Sequence, residues 1–451
     1  MISRLLVANR GEIAVRIIRT AADMNISTVA VVSEADTDSL WARAADAVVV
    51  LGPPPAGASY LNQDAILDAA TSSGADAVHP GYGFLSENAD FARRVLAAGL
   101  TWVGPSPEAI ELMGNKARAR EAAEAAGVPV IAGTSGPLRP DEDAVAAARS
   151  IGYPLVVKAS AGGGGRGIRL VTDEADLLTT IETARGEAAA IFGDPAVYLE
   201  QFIEAARHIE VQVLGDGRDY VHLGDRDCSM QRRSQKVLEE APAPNLPDHV
   251  RETIRTSSVR LAASCGYLGA GTVEFLYDPV RQEAAFIEMN TRLQVEHPIT
   301  EEITGIDLVR EQLVIASGGG ISFRQDELEF SGHAIECRIN AEDPARNFMP
   351  SPGTVAGLQW PEGDGVRIDS GFGEGSVIPP FYDSLIAKVI VHGQDREDAV
   401  SAMSKALGEA VVEGVSTTIP LHLRLLEAPE FAAAGHHTKY IESTPAILEG
   451  L

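Results

Sequence analysis

The sequence predicts a mixed fold, α/β and α+β, in three parts, and three observations carry that expectation. Over the first ~115 residues, short apolar runs alternate with helix-period segments, the pattern of a parallel, doubly wound sheet. The stretch from about 132 to 203 repeats a smaller βα pattern of its own. From about 208 the chain turns strand-rich, and a last segment from about Gly332 mixes strands with a helix. At 451 residues there is chain enough for about three domains.

Leu5–Ala8 reads as the first strand, followed by Ile13, Ile17 and Ile18 at helical spacing and by Val29–Val32 as the second strand. Asp46–Leu51, Ala77–His79 and Trp102–Val103 read as further strands, with helices at Ala65–Ser72 and Ala89–Ala97 between them. After the first strand comes only Asn9-Arg10-Gly11, not GxGxxG, which disfavours a dinucleotide oxidoreductase. Pro105 and Pro107 punctuate the chain before a helix that includes Lys116. The next part reads as strands Leu155–Lys158, Ile168–Val171 and Val197–Glu200, with a helix from Glu174. Beyond it, Ile209–Leu214, Val221–Arg226, Thr272–Tyr277 and Ala284–Asn290 read as strands around a helix at Asp248–Ser264. The last segment offers strands Ala334–Arg338 and Leu385–Val391 and a helix at Arg396–Glu409.

Composition narrows the function. There are 64 acidic and 37 basic residues, a formal charge of −27, and a field of that sign repels nucleic acid and anionic membranes. It repels anionic substrates too, so any site for them must carry local positive charge. Cys228, Cys265 and Cys337 are too sparse for a disulfide framework or a zinc cluster. The N-terminus is not a signal peptide, and no apolar run approaches the ~20 residues that span a bilayer. A cytoplasmic protein is expected, binding neither nucleic acid nor membrane.

Three strings carry chemistry. The first runs from Lys158 through Gly162, Gly163, Gly164, Gly165 and Gly167 to Arg169. Each glycine costs roughly 0.5–1 kcal/mol on ordering, which a fold gains from only where backbone must approach something closely. Successive N–H groups can wrap phosphate, with Lys158 and the arginines offsetting charge. The blander reading is a hairpin tip, and apolar strands on both sides with basic residues nearby weigh against it. No Gly-Lys-Ser/Thr follows, so this is no P-loop.

The second string, Ile287 to Pro298, alternates. If extended, it sets Glu288, Asn290, Arg292, Gln294 and Glu296 on one face. A solvated strand face is the plain alternative, but two carboxylates, two amides and a guanidinium are an unusual choice for one. Glu288 and Asn290 are hard oxygen donors suited to Mg²⁺, with Glu274 on the preceding strand facing the same site. Arg292 with Gln294 fits a small oxyanion such as bicarbonate, and Glu296 fits a base beside it. The third string, Arg226 to Pro244, carries a basic cluster up to Lys236 in an acidic protein. Taken by itself it is equally a solvated loop.

Together with His79-Pro-Gly-Tyr-Gly-Phe-Leu-Ser-Glu-Asn88, Glu336-Cys-Arg-Ile-Asn-Ala-Glu-Asp343 and Tyr382-Asp-Ser-Leu-Ile-Ala-Lys388, these strings resemble biotin carboxylase, in that order and across nearly the whole chain. The resemblance implies an ATP-grasp fold: a Rossmann-like N-terminal domain (1–114), an ATP-grasp domain (115–330) with a mobile lid at about 132–203, and a mixed C-terminal domain (331–451). It implies ATP, Mg²⁺ or Mn²⁺, and bicarbonate, with carboxyphosphate yielding CO2 and phosphate then deprotonating biotin N1'. It also implies residue roles. Lys116 and Lys158 hold nucleotide phosphates under the glycine lid, and His208 and Glu200 lie in the nucleotide pocket. Lys236 sits near the reacting phosphate, while Glu274, Glu288 and Asn290 bind metal. Arg292, Gln294 and the Val295 backbone hold bicarbonate, Glu296 is its base, and Arg338 stabilises the biotin enolate. His297 is left as structural. After Glu200 the family often has Lys where this chain has Gln201, a position expected to meet adenine through its backbone.

No Lys sits in a Met-Lys-Met setting, so the biotin carrier protein and the carboxyltransferase are expected on other chains. A homodimer and a place in fatty acid biosynthesis, as part of an acetyl-CoA or acyl-CoA carboxylase, follow from the same resemblance; pyruvate carboxylase is the alternative setting. Another ATP-grasp ligase would share the phosphate and metal residues but not Arg292–Glu296 with Arg338. A nucleotide-binding regulatory module without turnover is disfavoured by the intact set of acids, bases and lysines.

Overall fold

The computed structural model describes residues 2–134, 136–139, 143–159 and 168–451. Its first layer is a parallel sheet of β1 (Arg4–Val7), β2 (Ser27–Ser33), β3 (Ala47–Gly52), β4 (Ala77–His79) and β5 (Thr101–Trp102) in the order β3-β2-β1-β4-β5. Successive side chains of β1 serve opposite faces. Leu5 and Val7 pack with Ile13 and Ile17 of helix Gly11–Asp23, whereas Leu6 joins Val29, Ile66 and Phe91 on the other side. This double coverage explains the unbroken apolar runs. The order reverses at β1 and β4, so the loops leaving those strands open a crevice at their carboxyl ends. In the second loop Gly81 has φ +63, and a Cβ there would lie 2.7 Å from Asn9 Nδ2. That same amide donates to the carbonyls of Pro80 and Tyr82, locking the two loops together.

A small antiparallel sheet, β6 (Leu155–Ala159), β7 (Ile168–Val171) and β8 (Val197–Gln201), has order β7-β6-β8. Helices Ala144–Ile151 and Leu177–Phe192 cover it, and Leu155, Val157, Ile181 and Leu199 form a core separate from the rest. The helix expected from Glu174 begins as a 3₁₀ turn, Glu174–Asp176, before α-helix takes over at Leu177.

The largest sheet has eight strands. They are β9 (Arg207–Asp216), β10 (Tyr220–Arg232), β11 (Gln235–Ala241), β12 (Leu268–Asp278), β13 (Glu283–Asn290), β14 (His333–Asn340), β15 (Val366–Ser370) and β16 (Leu385–Gly393). Their order is β13-β12-β9-β10-β11-β14-β16-β15, every pairing antiparallel. The sheet therefore continues through the boundary expected near residue 330.

One expectation fails here. The alternating string does not stay extended to Glu296: β13 ends at Asn290, residues 291–296 form an irregular loop, and helix His297–Thr304 follows with Pro298 in its first turn. The cause lies in where the backbone groups find partners. Glu87 Oε1 accepts from the Thr291 N–H at 3.2 Å, and Lys388 Nζ donates to the Val295 carbonyl at 2.9 Å. Side chains replace a neighbouring strand, and buried Leu293 pins the loop into the core beneath.

Candidate active site

The crevice beside β1 and β4 meets the open face of the large sheet in a cleft of ≈ 1220 Å³. Its sheet wall is built by register. Glu288 on β13 stands opposite Glu274 on β12, Glu274 opposite Glu210 on β9, and Glu210 opposite Arg226 on β10. Residues directly opposed in antiparallel strands share a face, so three carboxylates and one guanidinium form a row across four strands. The reverse face carries Ile209, Val211, Val273 and Phe275 into the core.

Charge along this row is compensated unevenly. Lys236 Nζ lies 2.6 Å from Glu210, 3.0 Å from Glu274 and 2.5 Å from Glu296. Burial alone would lower the Lys236 pKa, but Glu210, Glu274 and Glu296 together raise it well above the usual lysine value. Burial pushes the Glu274 carboxyl up, and Lys236 and His208, whose Nε2 is 3.2 Å away, override it and hold it below its ordinary value. Glu288, by contrast, makes no hydrogen bond or ion pair with the described residues, and burial and then the facing Glu274 raise its pKa. An unpaired carboxylate facing another across strands is a place for a cation. Asn290 ends the same strand, and its Oδ1 accepts from Arg292 Nη2 at 2.8 Å. The donor set is all oxygen, which fits Mg²⁺ or Mn²⁺.

Glu296 is 2 % exposed and bridges two cations: Oε1 faces Lys236, and Oε2 accepts from Arg338 Nη2 at 3.0 Å. Burial would raise its pKa; Lys236, Arg338 and Arg226 outweigh burial and hold it well below the carboxylate range. Arg292, expected to share a face with Glu296, makes neither a hydrogen bond nor an ion pair with it. Its Nε donates to Glu87 at 2.8 Å instead. Gln294 is engaged elsewhere as well, accepting from Arg226 Nη2 at 2.7 Å and donating to Glu274 at 2.8 Å. Arg292, Gln294 and Val295 all line the cleft, but Arg292 and Gln294 are tied to separate partners and do not form a ready fork.

Arg338 on β14 is clamped by Glu239 on β11, which accepts from its Nε at 2.6 Å. Lys116 reaches the cleft from the first turn of helix Lys116–Ala125, and His208 from β9. Lys158 and Glu200 do not line the cleft; they pair with each other between β6 and β8. Gly162, Gly163, Gly164 and Gly165 lie outside the described residues. His297 is fully buried with Nδ1 2.7 Å from the Gln294 carbonyl, a structural placement.

Four participants were not singled out from sequence: Glu210, Arg226, Glu239 and Glu87. The first had a signal, since His208, Glu210 and Gln212 alternate with Ile209, Val211 and Val213 along β9. Arg226 is fully buried and binds Glu210, Gln212, Thr272, Gln294 and Thr300. It holds the wall together from behind the cleft. Among the described residues no helix is long and apolar enough to cross a membrane.

Three family models match the chain in turn. Residues 1–110 match the model for the biotin carboxylase N-terminal domain, 115–323 that for the carbamoyl-phosphate synthase L chain ATP binding domain, and 336–443 that for the biotin carboxylase C-terminal domain. Biotin carboxylase 1 of Bacillus subtilis (strain 168) is 52% identical over 444 residues, spanning 98% of this chain and 99% of that one. The ADP-bound biotin carboxylase domain of a thermophilic 2-oxoglutarate carboxylase matches with a TM-score of 0.95 at 45% identity, over 100% of both chains. The biotin carboxylase domain dimer of Hydrogenobacter thermophilus 2-oxoglutarate carboxylase, in complex with MgADP, ADP and bicarbonate, matches with a TM-score of 0.86 at 45% identity, over 100% of this chain and 99% of that one. The chain belongs to the biotin carboxylase family, ATP-dependent carboxylases built around an ATP-grasp core.

Proposed function

We propose that this enzyme uses ATP and bicarbonate to carboxylate biotin carried on a separate protein, passing through carboxyphosphate. One observation carries the reading: a single cleft sets two facing acids, Glu274 and the Glu288 left unpaired among the described residues, beside a base, Glu296, held between Lys236 and Arg338. The acids suit a metal–nucleotide; the base between cations suits an anion that must lose a proton.

Glu274 and Glu288, with Asn290, would hold Mg²⁺ or Mn²⁺, which neutralises phosphate charge. Lys116 and His208 meet the nucleotide from the cleft wall. Lys158, Glu200 and the Gly162–Gly165 segment would join them when the 132–203 unit swings over the cleft, which makes that unit the lid of an ATP-grasp domain at 115–330. Arg292, Gln294 and the Val295 N–H receive bicarbonate, Arg292 exchanging Glu87 for the substrate. Glu296 takes the bicarbonate proton while the bicarbonate oxygen attacks the γ-phosphorus and ADP leaves. Lys236, already within 3.0 Å of Glu274 and Glu296, is placed to steady the phosphoryl oxygens between them. Arg338 presents Nη1, free of protein partners among the described residues, to the oxygen of the ureido ring as it gains negative charge.

The carrier protein and the carboxyltransferase would be separate chains, working with a cytoplasmic homodimer of this one. The transferase decides whether acetyl-CoA, another acyl-CoA or pyruvate receives the carboxyl group. The test is ADP release by purified enzyme with Mg²⁺. It should depend on bicarbonate and rise when free biotin is added. Indifference to both would remove the carboxylase reading.

A further inference from the structure

Three stretches of the sequence have no role in the chemistry above: Asn9–Glu12, the loop around Tyr82, and Tyr382–Lys388. In the structure they meet. Lys388, on β16, is fully buried, an unusual place for an ammonium group. Its Nζ lies 3.3 Å from Glu12 Oε2 and 4.0 Å from Asp369 Oδ2, and it donates to the Val295 carbonyl at 2.9 Å. Glu12 receives the Tyr82 hydroxyl on its other oxygen, and both residues line the cleft. Gly371 lets the C-terminal part approach this closely: a Cβ there would lie 2.6 Å from the Glu12 backbone nitrogen.

A buried ammonium is costly unless it is paired and fully hydrogen-bonded, and a methionine would fill the same space without that cost. Here the ammonium spends a hydrogen bond on one carbonyl of the irregular 291–296 loop. That carbonyl belongs to the peptide joining Val295 to Glu296. Peptides are planar, so fixing it also fixes where the N and Cα of Glu296 lie. The residue on its other side is the one whose N–H faces bicarbonate in the reading above. Glu296 then reaches both Lys236 and Arg338 because its backbone is set from beneath.

We infer that Lys388, braced by Glu12 and Tyr82, is a positioning residue for the bicarbonate site, setting the Val295–Glu296 peptide so that anion and base meet. The inference rests on the carboxylase reading and names residues from the N-terminal and C-terminal parts that complete its bicarbonate loop. Lys388 touches no substrate; it acts through the loop.

Steady-state kinetics of Lys388→Met against wild type, with bicarbonate and ATP varied separately, tests this. The bicarbonate KM should rise about tenfold, the lower end for loss of an orienting contact behind a ligand. Affinity for a non-hydrolysable ATP analogue should stay within about twofold, since a change confined to one substrate leaves binding of the other intact. A merely structural role would lower the active fraction, and hence kcat, without moving the bicarbonate KM. A folded Lys388→Met with wild-type bicarbonate KM overturns the inference. If Lys388→Met does not fold, Glu12→Gln decides by the same measurement: a raised bicarbonate KM supports the inference, an unchanged one overturns it. The wild type is measured first. Turnover that ignores bicarbonate there defeats the carboxylase reading itself, whereas bicarbonate dependence with an unaltered KM in the variants defeats only the role of Lys388.

Discussion

Glu296, the proposed base, is surrounded by cations, and that sets a condition on its use. Lys236, Arg338 and Arg226 hold its pKa well below the carboxylate range, so by itself it has little appetite for a proton. Phosphate and bicarbonate bring negative charge to the same cations, and sharing them raises the proton affinity of the carboxylate when a proton must be taken. Glu296→Gln should therefore lower bicarbonate-dependent turnover by about 10²–10⁴-fold, the usual worth of a general base. Binding of an ATP analogue should barely change, because Lys116, Glu274 and Glu288 are untouched. Turnover near that of the wild type would remove Glu296 from the mechanism. The roles proposed for Glu296 and Arg338 rest on motif; their mutual contact and the clamp on Arg338 by Glu239 do not follow from any motif. Glu239 and Glu240 sit side by side in β11, within the third string, which taken by itself is equally a solvated loop. In the fold both are fully buried, one on Arg338 and the other on His333 and Arg396, far away in the chain. Only the tertiary pairing makes those charges affordable inside.

At the scale of elements, regular structure was legible where one face or both faces are apolar. Helices Ala89–Ala97, Asp248–Ser264 and Arg396–Glu409 lie where their periodicity places them, as do strands Ala77–His79 and Ile168–Val171. Two elements defeated the same reasoning. β11 has too many charges to look buried, and the 291–296 loop has the alternation of a strand but takes its hydrogen bonds from Glu87 and Lys388. Periodicity reports which way side chains face and says nothing of what satisfies the backbone. The β6–β8 unit bears on function through its separate core, since a unit that packs mainly on itself can move as a body. Its Lys158 and Glu200 hold each other and stand away from the cleft. A saturating non-hydrolysable ATP analogue should slow backbone hydrogen exchange within 132–203, as closing units do over bound ligands. Exchange that is the same with and without nucleotide would count against this unit reaching the phosphates.

For the whole molecule, the question is how its parts behave as one, given that Leu5, Val7 and Ile13 already share a core with Leu214, Leu293 and Leu313. They are stitched by long-range contacts: Arg16 binds Glu301 at 2.9 Å and Asp307 at 2.8 Å, and Arg367 meets the other oxygen of Glu301 at 2.8 Å. His422, in helix Ile419–Glu427, ties the C-terminal core to the active site, its Nε2 2.7 Å from the Arg338 carbonyl. It is fully buried. Burial lowers its pKa to about 4, only partly countered by that hydrogen bond. The consequence for stability has a definite sign. Between about pH 6.5 and 4 the unfolded chain binds a proton at this residue that the native protein refuses, so stability falls as pH falls through that window. From pH 7 to pH 5 the residue alone should remove about 2 kcal/mol. Carboxylates and other histidines titrate as well, His79 among them, but they are common to wild type and variant. His422→Gln should therefore lose about 2 kcal/mol less than wild type over that interval, whatever the variant costs at pH 7. Urea unfolding of both proteins at the two pH values measures the difference. Equal losses would show that His422 takes up its proton at Nδ1 inside the folded protein while its Nε2–H keeps its bond to the Arg338 carbonyl.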